Sequence, residues 1–66
     1  MEMKRKVYLI SKRWWKAEAE ATLNMFRWGA VLRVDEYDWD DDYLEVTMGV
    51  TPGHEADLED YIEPYV

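Results

Sequence analysis

The sequence predicts a small α+β domain in which two helices cover one face of a three-stranded antiparallel sheet. Apolar residues alternate with polar ones over residues 3–10, 30–37 and 43–50, as in half-buried strands. Helix signals follow the first and the third of these segments. The order strand, helix, strand, strand, helix is that of a ferredoxin-like fold that lacks its last strand, with the strands in the order 1-3-2. The 66 residues suffice for a single domain, residues 1–66.

The first strand is predicted over residues 3–10 and the first helix over residues 12–28. Ser11 is a favourable N-cap, no Gly or Pro interrupts the segment that follows it, and Gly29 fits the left-handed position that ends helices. The alternation in the strand assigns its side chains to two faces: Met3, Val7 and Leu9 to the core, and Lys4, Lys6 and Tyr8 to the open face.

Two apolar stripes lie side by side on the first helix when residues are spaced by about 100°. The first stripe consists of Trp15, Ala19, Thr22, Leu23 and Phe26. The second, called the Trp/Met stripe below, consists of Trp14, Ala17, Ala21, Met25 and Trp28. A two-layer domain of this size can cover one stripe, and a monomer rarely leaves so much apolar surface open. We therefore predict a homodimer with the Trp/Met stripe as its interface.

The remaining segments predict a hairpin and a short second helix. The hairpin residues expected to face the core are the even-numbered ones: Leu32, Val34, Leu44, Val46, Met48 and Val50. No Asn-Gly or Asp-Gly pair marks a tight turn, so a loop of about four or five residues is expected near residues 39–42. Thr51 and Pro52 begin the second helix. Its predicted apolar stripe is Leu58, Tyr61, Ile62 and Tyr65.

Charge divides the chain into two halves. Residues 1–33 contain all 8 basic residues and three acidic ones, whereas residues 34–66 contain 12 acidic residues and no Lys or Arg. The net charge of −7 opposes binding to nucleic acids and anionic lipids, and it favours cationic partners through long-range attraction. A nucleic-acid contact through the basic and aromatic residues 12–16 is a further possibility, which the acidic second half disfavours.

Several kinds of chemistry lack the residues that they require. The chain has no Cys, three isolated glycines and a single histidine, His54, which is expected to be solvated. A disulfide, a thiolate metal site, a nucleophile with its base and a phosphate-binding loop are therefore not predicted. The acidic segment also lacks the glycine and the final bidentate acid of a calcium loop. We expect a non-enzymatic protein without cofactor or metal and, since no apolar run could span a membrane, a cytoplasmic one.

Acidic residues are concentrated in residues 35–45 and 55–63. Alternate side chains of a strand are about 6.6 Å apart, and four residues of a helix rise about 6 Å. Asp38, Asp40 and Asp42 on a strand and Glu55, Glu59 and Glu63 on a helix would therefore form two regular negative rows. Duplex DNA binds proteins through similarly spaced phosphates. The predicted partner-binding residues are Asp35, Asp38, Asp40, Asp41, Asp42, Glu45, Glu55, Asp57, Glu59, Asp60 and Glu63.

In its size, its lack of Cys and these two acidic segments, the chain resembles the small acidic DNA-mimic inhibitors, many of which are encoded by bacteriophages. Proteins of that class occupy the nucleic-acid sites of host proteins such as histone-like HU, RNA polymerase, restriction enzymes or repair glycosylases. The resemblance implies a basic nucleic-acid-binding protein as the partner, in the host cytoplasm, and no direct contact with nucleic acid. The alternative is a homodimeric protein-interaction module that uses the Trp/Met stripe and whose acidic residues only keep it soluble.

Overall fold

The three strands form one antiparallel sheet with the last strand in its centre. A computed structural model describes residues 3–62 of the chain. Its strands are β1 (Lys4–Ser11), β2 (Gly29–Glu36) and β3 (Tyr43–Val50), and both β1 and β2 pair with β3. The strand order is β1-β3-β2. The predicted α+β fold and its strand order are thus confirmed.

Two helices follow β1 and β3. The first, α1, is continuous through Lys12–Trp14, a π-helical turn at Trp15–Ala19 and a last segment at Glu20–Asn24. The Ser11 hydroxyl caps it by accepting a hydrogen bond of 3.1 Å from the backbone N–H of Trp14. The second helix, α2, is Glu55–Ile62. Tyr65 and Glu63, which were predicted to belong to it, lie outside the described residues.

The first helix ends earlier than the sequence predicts. It stops at Asn24 and not at Trp28, and Gly29 begins β2 instead of capping the helix. Gly29 is required for a different reason, because a Cβ at this position would lie 2.2 Å from the backbone oxygen of Gly49. Residues 25–28 therefore form a turn between the helix and β2, and β2 begins in close contact with the central strand at Gly49. Gly53, with a φ of 96°, is the glycine with positive φ among the described residues.

One core lies between the sheet and both helices. Its buried members are Ile10, Trp14, Ala19, Leu23, Phe26, Val46, Met48, Val50, Leu58 and Ile62. The three members from β3 are even-numbered, as predicted, and both helices contribute to the same cluster. The two helices therefore cover one face of the sheet and leave the other face open.

The prediction for the faces of β1 is wrong. Tyr8 and Ile10 pair with Val46 and Leu44 of β3, and residues directly opposite each other in a sheet point to the same face. Tyr8 and Ile10 therefore point toward the helices, whereas Val7 lies on the open face and is 58% exposed. Met3 and Leu9, also predicted to face the core, share the open face with Val7. Lys4 and Lys6 are on the helix side of this outer strand, where their aliphatic stems can lie along apolar surface while the ammonium groups reach water.

An extra residue in β2 changes which of its side chains point toward the helices. Val31 pairs with Met48 and Arg33 with Thr47, so Leu32 is inserted as a bulge. Leu32 was predicted to face the core, and it is instead 49% exposed. Val34 does lie on the helix side, opposite Val46, but it remains exposed at the sheet margin. Arg33, Asp35 and Glu45 are on the open face, as expected when the even-numbered residues of the hairpin face the core.

The π-helical turn also changes the surface of α1. A helix turn that is wider than 3.6 residues rotates the side chains that follow it, so a wheel of constant 100° steps fails here. Trp14, predicted to be on the exposed Trp/Met stripe, belongs to the core and is 7% exposed. Ala17, Ala21 and Met25 do lie on the exposed surface of the helix and its end.

Candidate functional site

The predicted partner-binding residues occupy three separate places in the fold. Asp38, Asp40, Asp41 and Asp42 are exposed in the loop of residues 37–42 that joins β2 to β3, which we call the acidic loop. Glu55, Asp57, Glu59 and Asp60 are on α2. Asp35 and Glu45 lie opposite each other on the open face of the sheet. Glu63 is outside the described residues.

The acidic loop consists of two successive turns and does not continue the strands. Its second turn is fixed by Asp40, whose side chain accepts a hydrogen bond of 2.9 Å from the backbone N–H of Asp42 and whose carbonyl accepts one from the N–H of Tyr43. Asp side chains commonly stabilise turns in this way. The predicted strand-spaced row of Asp38, Asp40 and Asp42 is therefore not present, and the carboxylates are gathered at the tip of the hairpin.

The loop is held against the beginning of α1. The backbone N–H of Lys12 donates a hydrogen bond of 2.8 Å to the carbonyl of Asp42. The Lys12 ammonium lies 3.1 Å from a carboxylate oxygen of Glu36, at the end of β2. One end of the loop is thus fixed by backbone contact, while the side chains of its four aspartates stay in solvent.

Trp39 stands out in this loop because its indole is 86% exposed. It lies between Asp38 and Asp40 at the first turn of the loop. An exposed indole beside carboxylates offers a flat apolar surface to a cationic side chain, and aromatic residues are frequent energetic centres of protein interfaces. Trp39 is not among the predicted partner-binding residues, although its position inside the acidic run was an available signal.

The carboxylates of α2 differ in how they are engaged. Glu55 accepts a hydrogen bond from the N–H of Gly53 and forms an ion pair of 3.2 Å with Lys4 of β1. Backbone hydrogen bonding at the helix start and, after it, the contact with Lys4 lower the pKa of Glu55. Burial, followed by the charges of Glu59 and Glu55, raises the pKa of Tyr8 on β1. The acidic side of α2 therefore follows the outer strand β1.

A second cluster joins the turn after α1 to the start of α2. The imidazole of His54 stacks on the indole of Trp28, with ring centroids 4.1 Å apart and planes inclined by 7°. His54 Nδ1 lies 2.8 Å from a carboxylate oxygen of Asp57, and the Arg27 guanidinium is 4.9 Å from the Trp28 ring centroid. His54 is therefore a packed residue and not the solvated one that we expected. An open depression of about 280 Å³ beside this stack is lined by Phe26, Arg27, Trp28, Asp57, Asp60 and Tyr61.

The ion pairs divide the acidic residues into a neutralised and a free set. Lys4, Lys12 and Arg33 neutralise Glu55, Glu36 and Asp35, respectively. Within residues 3–62, the aspartates of the acidic loop and the carboxylates of Glu59 and Asp60 have no ion-pair partner. We call these carboxylates the free set; they lie at the hairpin tip and on the solvent side of α2, whereas Glu20 on α1 and Glu45 on the open face, also unpaired within residues 3–62, stand apart from them. These two places, with Trp39, constitute the candidate site, which we call the acidic surface.

The described part of the chain shows neither a metal site nor a membrane-spanning helix. Among residues 3–62, no group of three or more His, Asp or Glu side chains could hold a metal ion. In the same part of the chain, neither helix has the length and apolar character needed to cross a bilayer. The clustered carboxylates are therefore spread over a surface and do not converge on a point.

Comparison of the chain with known protein families, with curated protein sequences and with solved structures gave no significant match. The charge, exposure and contacts of its own residues are consequently the basis for assigning a function.

Proposed function

We propose that the chain binds a basic nucleic-acid-binding protein through the acidic surface and acts as a DNA mimic that occupies that protein's DNA-binding groove. The observation that carries this proposal is the free set of carboxylates. Within residues 3–62, Lys4, Lys12 and Arg33 form ion pairs with other acidic residues, and no basic side chain lies within ion-pair distance of the acidic loop or of Glu59 and Asp60. A partner with a basic groove, such as a histone-like HU-type protein or a transcription protein, supplies the missing cations.

Charge of this kind acts at long range and requires little desolvation. The loop carboxylates are exposed, so they attract a cationic surface at distances up to the Debye length, about 10 Å at 0.1 M salt. A basic DNA-binding groove binds phosphates largely through charge, and carboxylates that enter it make the same type of contact. Complementary charge raises the rate of association and selects against acidic partners. These properties support inhibition by competition with DNA.

Trp39 adds a contact that phosphates do not provide. Its exposed indole lies between free aspartates, where an arginine of the partner can stack on the ring while it binds a carboxylate. Cation–π contacts contribute about 0.5 to 2 kcal/mol, depending on how far they are shielded from water. The acidic loop therefore combines charge with one aromatic contact, and α2 contributes charge alone.

An affinity experiment with matched variants tests the proposal. The wild-type chain, a loop variant (Asp38→Asn with Asp41→Asn) and a control variant (Glu18→Gln with Glu20→Gln) are immobilised, and a bacterial lysate is applied at low salt. Both variants lose two negative charges, but the control changes α1 and leaves the acidic surface intact. Wild type and control are expected to retain DNA-binding proteins that added duplex DNA elutes. The loop variant is expected to retain about three- to tenfold less.

The result that contradicts the proposal is equally specific. If the retained proteins resist elution by duplex DNA and by salt, the contact is apolar. That outcome favours the interaction-module alternative, for which Met25, 81% exposed at the end of α1, and Trp28, 37% exposed, are the large exposed side chains of the Trp/Met stripe. A Met25→Lys variant would then lose the partner, whereas the loop variant would keep it.

A further inference from the structure

The open face of the sheet carries a contiguous apolar patch that the acidic surface does not use. Its members are Met3, Val7, Leu9 and Leu32. Leu32 and Met3 both lie over Gly49 of the central strand, since a Cβ at Gly49 would lie 3.0 Å from Leu32 Cδ1 and 3.3 Å from Met3 Sδ. Val7 lies beside Thr47 on the same face. Glycine and threonine in the central strand thus leave a shallow apolar centre between the two outer strands.

The sequence of β1 indicates that both of its faces are covered. Val7, Tyr8, Leu9 and Ile10 are consecutive apolar or aromatic residues, a pattern typical of strands that are buried on both faces. The helices cover Tyr8 and Ile10, as their packing in the core shows. Val7 and Leu9 lack a corresponding cover within the described chain. A sheet with one solvated face would place polar residues at these two positions.

The edges of the sheet are poorly suited to adding a strand, so its open face is the better surface for association. β1 begins with Lys4, Arg5 and Lys6, and lysine-rich outer strands disfavour edge pairing. β2 contains the bulge at Leu32, which interrupts the regular ladder of the other edge. Both edges therefore carry features that natural sheets use against edge-to-edge association, whereas the open face carries none at its centre.

We propose that the open face is the contact surface of a homodimer in which two copies pack sheet against sheet with their strands running in opposite directions. The charges on this face identify a second copy as its occupant. Arg5 lies at one end of the face, opposite Gly49, and Glu45 lies toward the other end, opposite Leu9. A two-fold axis that lies in the interface between the two sheets and runs perpendicular to the strands brings Arg5 of each copy next to Glu45 of the other. An axis along the strands would instead place the two Glu45 side chains against each other.

The local charge balance also permits self-association of a chain whose net charge is −7. Arg5 and Arg33 balance Asp35 and Glu45 on the open face, and Arg33 already forms an ion pair of 2.8 Å with Asp35. The helix α2 is on the opposite side of the sheet, so its free carboxylates point away from a second copy. This pairing does not depend on the proposed binding of a basic partner.

The size of the face sets the expected affinity. Three strands about 4.8 Å apart and about 26 Å long give a contact of roughly 15 by 26 Å before edge side chains are included. This is smaller than the roughly 800 Å² per partner of a standard stable interface. We therefore expect a reversible dimer that dissociates at about micromolar to sub-millimolar concentration.

Sedimentation equilibrium of matched variants tests the dimer. The wild type is measured from about 10 μM to about 1 mM, beside Val7→Lys on the open face and Met25→Lys on the helical side. Both variants replace an exposed apolar side chain by lysine and change the net charge equally. Val7→Lys is expected to raise the dissociation constant at least about tenfold, and Met25→Lys less than about twofold. Circular dichroism checks that each variant is folded; if Val7→Lys unfolds, Val7→Thr, which keeps a β-branched side chain, takes its place.

A charge exchange tests the alignment of the strands. Arg5→Glu is expected to weaken the dimer, and the double variant Arg5→Glu with Glu45→Arg is expected to restore it. A wild-type chain that is monomeric throughout the concentration range overturns the proposal, as does a dimer broken by Met25→Lys and unaffected by Val7→Lys. Failure of the double variant to recover overturns the opposite-running alignment.

Discussion

The two faces of the sheet differ in how completely their apolar side chains are covered. On the helix side, Val46, Met48 and Val50 of β3 are fully buried beneath both helices. On the open side, Val7 and Leu32 are about half exposed and stand beside charged residues. Apolar burial on one face therefore holds the domain together, while similar residues on the other face contribute little to folding and remain available for association.

Replacing a leucine on each face gives the largest expected contrast. Leu58→Ala creates a cavity under α2, where the side chain is fully buried, and is expected to lower the free energy of unfolding by about 2 to 5 kcal/mol. Leu32→Ala on the open face is expected to cost less than about 1 kcal/mol at concentrations where the chain is monomeric. Urea unfolding followed by circular dichroism measures both. Equal losses would contradict the assignment of the stabilising core to the helix side.

Two glycines in neighbouring strands, Gly29 on the helix side and Gly49 on the open face, are also expected to differ in the cost of substitution. Alanine at Gly29 would place its Cβ 2.2 Å from the backbone oxygen of Gly49, so a strand has to shift. Alanine at Gly49 would meet mainly the Leu32 side chain at 3.0 Å, which is free to move on the open face. Gly29→Ala is therefore expected to destabilise by about 1 to 3 kcal/mol and Gly49→Ala by less than about 1 kcal/mol. Thermal unfolding of the two variants checks this order, and the reverse order would refute it.

The sequence predicted elements well where a single periodicity dominated. In β3, Leu44, Val46 and Met48 alternate with Glu45 and Thr47, so strand and faces were both assigned correctly. In β1 the alternation is ambiguous, because apolar residues occupy both faces from Val7 to Ile10, and the wrong face was chosen. The bulge at Leu32 has no signal in its own residue type, since no glycine or proline marks it. One inserted residue exchanges the two faces of a strand.

The residues of the candidate acidic surface could be predicted from the sequence, but their arrangement in the fold could not. The charge division between the two halves made Asp38, Asp41 and Glu59 candidate contacts, and a loop near residues 39–42 was expected. The turn fixed by Asp40, which replaces the expected strand-spaced row of aspartates, was not predicted. The stack of Trp28 on His54 joins residues that are far apart in the chain, and nothing local to either residue indicates it. Trp14 was misplaced because a wheel with constant steps does not anticipate the π-helical turn of α1.

Tyr8 offers a smaller test on the helix side of β1. Its hydroxyl oxygen is buried without a hydrogen-bond partner among the described residues, and its pKa is raised by burial and by the charges of Glu59 and Glu55. Tyr8→Phe is expected to leave stability unchanged or raise it by up to about 1 kcal/mol at neutral pH. Because the pKa of Tyr8 is raised in the folded protein, the free energy of unfolding of the wild type falls as the pH rises above the ordinary value of 10.0. The stability advantage of Tyr8→Phe should therefore grow at high pH. Tyr61→Phe, at an exposed position, serves as the control in unfolding experiments.

The smallest expected effect concerns the ion pair between α2 and β1. The pKa of Glu55 lies below its ordinary value of 4.5, so its contribution to stability is present above that pH and is lost as the pH falls through the lowered pKa. Glu55→Gln should therefore be slightly less stable than wild type at pH 7 and equal to it in strong acid. Glu20→Gln, an exposed change on α1, should show no such pH-dependent difference. A constant difference at every pH would mean that Glu55 stabilises the helix through packing alone.

Titration of the chain into the protein eluted from the affinity experiment tests whether the acidic surface binds a basic partner in place of DNA. The affinity is measured at low and high salt, with and without duplex DNA. We predict that binding weakens steeply as salt rises and that duplex DNA competes for the same surface on the partner. An affinity that is independent of salt, for a partner that binds the chain and duplex DNA simultaneously, would contradict the account.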